Sequence, residues 1–294
     1  MPLPIPGTLE TEELIKNLCA AFLLLPGGNE KIIFEGVIMK LLVIHGSMRK
    51  GETYGLTREL MEQLSLKPNV EFTEVNVSDL KLPFCTSCHV CFKKGEENCP
   101  NYIAYGNVHK ALLDCDGVIL SGTTYMWSLN AAMKNLLDHF SFNFHRPILF
   151  GKRGMVVVTS AGAGEKGVAK YLKTVLGQWG INGAVAVTRN KKEEQLFPRR
   201  KLVAKVQRAT EQFYQQLTSK HSIPPTLRSI VIHNAFRSAS LSASAEYERD
   251  IEFWQQDSYR DRAYPVKAGL KYIAGAIMFG IARYTTKLIE KRLA

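Results

Sequence analysis

Long hydrophobic runs, a basic leader and a dense disulfide pattern are all missing from this 294-residue chain. Its first apolar run, Leu18 to Leu25, follows Glu10, Glu12 and Glu13 instead of lysine or arginine, which argues against a secretory leader. No uncharged stretch is long enough to span a bilayer. Six cysteines are too few to staple so long a chain, so they read as metal or redox chemistry in a reducing, cytoplasmic setting. Neither G-x-x-x-x-G-K-[ST] nor G-x-G-x-x-G occurs, which disfavours a nucleoside triphosphatase and a dinucleotide pyrophosphate grip. Lysine and arginine exceed acidic residues by 38 to 27, with nine against three glutamates between Arg189 and Lys220. That basic stretch lacks the interleaved aromatics of a base-stacking platform. It reads as a solvated helix face, and no nucleic-acid partner is expected. There are no internal repeats.

What is present is an alternation of short apolar runs and amphipathic segments. Strands are expected at Lys40–His45, Val70–Val77, Gly117–Leu120, Met155–Thr159 and Ala184–Thr188. Helices are expected at Thr53–Leu64, Ile103–Leu113, Leu129–Phe142 and Val168–Trp179. Such alternation implies an α/β fold, a parallel sheet covered by helices on both faces. Five strands fit a flavodoxin-like three-layer sandwich of order 2-1-3-4-5. Three segments follow: an N-terminal appendage over residues 1–38, a flavodoxin-like domain over 39–190, and a helical C-terminal extension over 191–294. For the appendage two readings stand, a docking helix or a stretch preceding a true start at Met39. In the extension, helices are expected at Lys201–Thr218, Glu246–Gln256 and Val266–Leu293. Lys271 and Arg283 interrupt the last, so packing on the domain or in an oligomer is favoured over a membrane surface.

Two features carry chemistry. The first is the loop His45-Gly46-Ser47-Met48-Arg49-Lys50-Gly51-Glu52-Thr53 after the first strand. Ligands of parallel α/β sheets bind at the carboxyl ends of the strands, and a helix N-terminus there offers free N–H groups to an anion. Ser47 and Thr53 add hydroxyls, Arg49 adds charge, and Gly51 permits close backbone approach. A monophosphate such as that of FMN suits this loop. Two further loops emerge at the same edge. Tyr125, Met126 and Trp127 in one can flank a flat ring, with backbone groups for its polar edge, and Thr159 to Gly164, with Gly162, supplies small residues and hydroxyls beside it. The second feature is Cys85, Cys88, Cys91 and Cys99, spaced C-x2-C-x2-C-x7-C. This spacing suits a [4Fe–4S] cluster. A zinc site and unligated thiols are the other two readings. Cys115 and Cys19 read as core residues and His89 as a solvated loop residue.

Residues 39–190 resemble the NADPH-dependent FMN reductase and iron–sulfur flavoprotein group of flavodoxin-like proteins. The likeness rests on the phosphate loop, the cysteine run, Asp116-Gly117-Val118-Ile119-Leu120, Tyr125-Met126-Trp127-Ser128 and Met133-Lys134-Asn135-Leu136-Leu137-Asp138. It departs from the group's pattern at Thr123, where proline is usual, and at His139, where arginine is usual. An acidic pair that commonly follows the fourth cysteine is replaced by Tyr102-Ile103-Ala104. The resemblance implies an FMN phosphate on Ser47, Arg49, Gly51 and Thr53, with the ring against Thr124–Ser128 and Thr159–Gly164. It also implies a homodimer or homotetramer.

The expected activity is oxidation of NAD(P)H by bound FMN, with electrons passed to a quinone, flavin, metal or protein acceptor, through a cluster if one is present. No catalytic side chain is needed, because the cofactor does the chemistry. Two alternatives from other classes are a non-enzymatic iron–sulfur electron carrier and a zinc-stapled interaction protein on the same scaffold.

Overall fold

The central strands form where apolar residues run almost unbroken. A computed structural model describes residues 38–242 and 247–256 and the isolated positions 277, 280 and 284. The expected appendage except Ile38, with the Cys19 core reading, and the Val266–Leu293 helix apart from those three positions lie outside the described residues. Strands β1 (Met39–His45), β2 (Val70–Asn76), β3 (Gly117–Tyr125), β5 (Arg153–Ser160) and β6 (Val185–Asn190) make one parallel sheet of order β2-β1-β3-β5-β6. Counting parallel strands alone, this is the expected order. The sixth strand, β4 (Ser128–Leu129), is two residues long and runs antiparallel to the end of β3.

The helices, numbered among the described residues, are α1 (Glu52–Ser65), α2 (Val90–Lys93), α3 (Tyr102–Asp114), α4 (Ala131–His139), α5 (Phe142–His145), α6 (Glu165–Gln178), α7 (Lys191–Leu196), α8 (Arg199–Thr218), α9 (Leu227–Ser242) and α10 (Glu248–Gln255). Successive strand residues face opposite ways. Leu42 and Ile44 of β1 therefore join Tyr105 and Val108 of α3, Met133 and Leu136 of α4, and Leu172 of α6 in one core. Leu41 and Val43 join Leu56 and Leu60 of α1 and Val206 and Phe213 of α8 in the other. Burying each such side chain stabilises the fold by roughly 1.5–3 kcal/mol.

Three particulars differ from the sequence expectations. Helix α8, assigned to a C-terminal extension, supplies part of the second core, so the sandwich continues beyond Asn190. Strand β3 does not stop at Leu120 but runs to Tyr125 and hairpins back through Met126 and Trp127. The helix expected from Leu129 accordingly starts at Ala131 and breaks into α4 and α5. Helix α9 was not foreseen. Its buried positions include Ser229, His233, Asn234, Arg237 and Ser238, so it shows no apolar stripe.

Candidate functional site

The chain leaves β1 toward β2 on one side and reaches β3 on the other, so β1 and β3 flank a topological switch point. The first loop turns there, between β1 and α1. Gly46 donates its N–H to the carbonyl of Ser121 at 2.9 Å, and its own carbonyl accepts from Asn130 Nδ2 at 2.6 Å. A Cβ at position 46 would stand 2.5 Å from the Ser121 oxygen and 2.8 Å from Met133 Cβ, so only glycine fits. Gly51 is different. It is the N-cap of α1 in extended backbone, with no side-chain cap, and a Cβ there would meet only the Arg49 side chain, at 3.6 Å. The uncapped first turn of α1 offers N–H groups and a positive dipole end to an anion. Arg49 and Lys50 lie exposed beside it.

A chain of hydroxyls ties three loops together. Ser47 Oγ meets Thr123 Oγ1 at 2.7 Å, Thr123 Oγ1 meets Thr53 Oγ1 at 2.7 Å, and Thr53 Oγ1 meets Thr159 Oγ1 at 2.6 Å. Thr53 and Thr159 are buried, so their hydroxyls brace the loops from beneath. Thr123 sits at the centre of this knot, and Asn130 fixes both Gly46 and the backbone N–H of Thr123. Neither had been given a site role. The signal for Asn130 was its cap-type side chain just before a helix; for Thr123 it was only its place in a polar run.

The residues expected to flank a ring are split. Met126 and Trp127 form the two central positions of the β3–β4 turn with φ of +47° and +62°. That geometry normally goes to asparagine and glycine. Both side chains stand out into solvent, 95% and 77% exposed, with Tyr125 half exposed. Ser128 is exposed as well. Thr124, by contrast, has a buried hydroxyl with no partner. Its methyl and the backbone of Trp127 border Gly164, where φ is +98°. Gly162 is open: a Cβ there would meet nothing within 4 Å. Beneath this last loop, Glu165 accepts from Ser160 Oγ at 2.6 Å and from Asn190 Nδ2 at 3.0 Å, bracing the ends of β5 and β6. The structure thus brings Ser47, Thr53, Thr124, Trp127 and Thr159 to one sheet edge. Arg49, Gly51, Tyr125, Met126, Ser128 and Gly162 stand around its open side.

The cysteine segment lies over the layer of α3, α4 and α5. Asn135 of α4 clamps its start, accepting from the Cys85 N–H at 3.2 Å and donating to the Leu82 and Pro83 carbonyls at 3.0 Å each. Ser87 and His89 both have positive φ, which winds the coil tightly before α2. Cys85 and Cys88 are exposed, Cys91 and Cys99 half-buried, and none forms a disulfide. Burial pushes the Cys91 thiol up to about 12; the Arg146 guanidinium opposes this, while Cys99, Cys85 and Cys88 add to it. The other three thiols therefore lie in the neighbourhood of Cys91. Among the described residues, no three His, Cys, Asp or Glu side chains already stand in a metal-holding arrangement. The donor set, four unpaired thiols with three at every third position, suits a thiolate-bound metal centre. Burial, with the Cys99 thiol second, raises the pKa of Tyr105. His89 is half-buried rather than solvated, 3.3 Å from the Tyr247 hydroxyl. Cys115 is a core residue, as read from the sequence.

A family model described as NADPH-dependent FMN reductase matches residues 39–191, just over half of the chain. The chain belongs to that family. It is accordingly a flavin-dependent NAD(P)H oxidoreductase of flavodoxin-like fold. An iron–sulfur flavoprotein of Archaeoglobus fulgidus is 28% identical over 232 residues, covering 75% of this chain and 100% of that one. An iron–sulfur flavoprotein of Clostridioides difficile is 25% identical over 227 residues, covering 74% and 98%. An azoreductase of Bacillus anthracis of solved structure aligns at a TM-score of 0.48 and 15% identity, over 61% of this chain and 99% of that one. None of the described helices is long and apolar enough to cross a membrane.

Proposed function

We propose that this member of the FMN reductase family binds FMN across the β1, β3 and β5 loops, oxidises NAD(P)H, and passes the electrons on through a [4Fe–4S] cluster held by Cys85, Cys88, Cys91 and Cys99. The observation that carries the flavin half is the hydroxyl chain Ser47–Thr123–Thr53–Thr159, which locks three loops around an uncapped helix N-terminus. When bound, FMN supplies hydride acceptance from a nicotinamide and release of electrons singly to an acceptor. The N–H groups of the first turn of α1, the Ser47 hydroxyl and the Arg49 guanidinium would hold the phosphate. Thr53 and Thr159 keep the loop ends in register and exclude water beneath them. The buried, unpartnered Thr124 hydroxyl fits a polar edge of the ring, and the small residues around Gly162 leave room beside it.

The cluster half rests on the four unpaired thiols and on the relatives named iron–sulfur flavoproteins. Those names favour iron over zinc at this donor set. Free thiols in such number also support a cytoplasmic, reducing setting. The exposed apolar trio Tyr125, Met126 and Trp127 supports a homo-oligomer in which a second copy covers it. The acceptor is a small molecule or a redox protein. The test is a visible spectrum with iron, sulfide and zinc analysis of anaerobically purified protein. Resolved flavin bands on a broad brown shoulder, with iron and sulfide, support both halves. A yellow protein without iron removes the cluster, and a colourless one holding zinc removes the reading altogether.

A further inference from the structure

A buried charge network joins the cysteine segment to helix α10, far along the chain. Arg146, just after α5, is almost fully buried. Its guanidinium donates from one nitrogen to the carbonyl of Cys91 at 3.0 Å and to Glu96 Oε2 at 2.6 Å. The other terminal nitrogen donates to Asp250 Oδ1. Asp250 is fully buried, and its second oxygen bonds His145 Nδ1 at 2.7 Å. The His145 ring stacks on Phe92, centroids 4.2 Å apart, and Tyr247 reaches His89. Every contact on the cysteine side falls between His89 and Glu96, the stretch that contains Cys91. Apolar side chains of the same volume would pack such a segment at no desolvation cost, whereas buried ions must be paired to be tolerated at all. A planar fork with five donors can serve two carboxylates and a carbonyl together. Lysine, with a single nitrogen, cannot span them in the same way.

We propose that Arg146 is a positioning residue for the cysteine centre: it pins the Cys91 backbone and places a fixed cation beside an anionic thiolate-bound cluster, while Asp250 of α10 holds Arg146 in place. This rests on the reading of the four cysteines as cluster ligands. Reduction adds one electron to an already anionic group, so a cation beside it favours the reduced state and an anion disfavours it. Arg146 and Asp250 should then move the reduction equilibrium in opposite directions, which a purely structural pair would not do.

The experiment is a potentiometric titration of the anaerobically reconstituted full chain, followed by electron paramagnetic resonance, with iron and FMN content measured on the same samples. Arg146→Gln is expected to lower the one-electron reduction constant at least tenfold, about 59 mV. Asp250→Asn, in which Arg146 keeps Glu96, is expected to raise it, and Arg146→Lys to stay near wild type with lower iron occupancy. A variant that binds FMN normally but loads no iron also supports the proposal. If Arg146→Gln fails to fold, as loss of FMN would reveal, Asp250→Asn decides. Full iron loading at an unchanged potential in Asp250→Asn overturns the proposal. Wild-type protein that takes up FMN but no iron overturns the cluster reading, and this inference with it. Wild type that loads iron beside unaltered variants overturns this inference alone.

Discussion

Thr53 and Thr159, 106 residues apart, meet hydroxyl to hydroxyl at 2.6 Å. One lies in the first turn of the helix after β1 and the other near the end of β5. The contact joins the loop after β1 to the loop after β5, so a change at either hydroxyl should be felt at both. A buried hydroxyl left without its partner costs roughly 1–3 kcal/mol. Thr53→Val should therefore lower the stability of the flavin-free protein by about that amount and weaken FMN binding. Arg49→Ala lies on the open side of the same loop. It should weaken FMN binding by roughly tenfold or more, the loss of one charge-assisted bond, while leaving apo stability unchanged. Flavin titration and denaturant melts on both variants check the separation.

Gly46 and Gly51 make a second contrast. Ala at 46 must displace the Ser121 carbonyl or Met133. Overpacking of this kind typically costs about 1–3 kcal/mol, and the midpoint of unfolding should fall accordingly. Ala at 51 meets only the movable Arg49 side chain, so stability should hold. If Gly51 serves close approach of a phosphate, FMN affinity should nevertheless fall. Thermal unfolding beside flavin titration separates the two glycines.

The cysteines should be separable from the flavin. Their segment is anchored by Asn135 and Arg146 and is separate in sequence from the loop after β1. Cys91→Ser should lower iron and sulfide content while leaving FMN stoichiometry near that of wild type. Full iron occupancy in that variant would remove Cys91 from the ligand set.

Acid should destabilise the C-terminal helices. Burial holds His233 down to about 3, with Arg237 acting in the same direction, and its ring stands edge-on to Trp254, 4.9 Å between centroids. Its unfolded value is near 6.5. Between those values the unfolded chain binds the proton and the folded chain does not. Stability is therefore complete above about 6.5 and is lost as pH falls toward 3, by about 1.4 kcal/mol per pH unit from this group. Burial lowers His45 and His109 as well, which adds to the same trend. Chemical denaturation of wild type and His233→Leu between pH 7 and pH 4 should show a shallower loss in the variant.

The sheet was legible because its central strands are buried on both faces and read as continuous apolar runs, as in Leu41–Ile44 and Met155–Val158. The β1–α1 loop could be picked out as a candidate site because glycine and hydroxyl residues follow such a run. The β3–β4 hairpin was not, since Met126 and Trp127 carry none of the usual turn chemistry. Helix α9 was hidden for the opposite reason: polar side chains occupy its buried face, so hydrophobic period says nothing of it. The cysteine spacing was plain, but the partner of Cys91 was not. Arg146 and Asp250 are 104 residues apart, and no local pattern announces which buried cation will meet which buried acid. Thr123 was visible only as part of a polar run and as a departure from the family's proline, yet it accepts or donates to both Ser47 and Thr53 in the hydroxyl chain.

The most direct test of the account is anaerobic mixing of the FMN-loaded protein with one equivalent of NADPH or NADH, followed in the visible spectrum. The account predicts that at least one nucleotide bleaches the bound flavin and that a quinone restores its colour. Flavin that stays bound and oxidised with both nucleotides would contradict it.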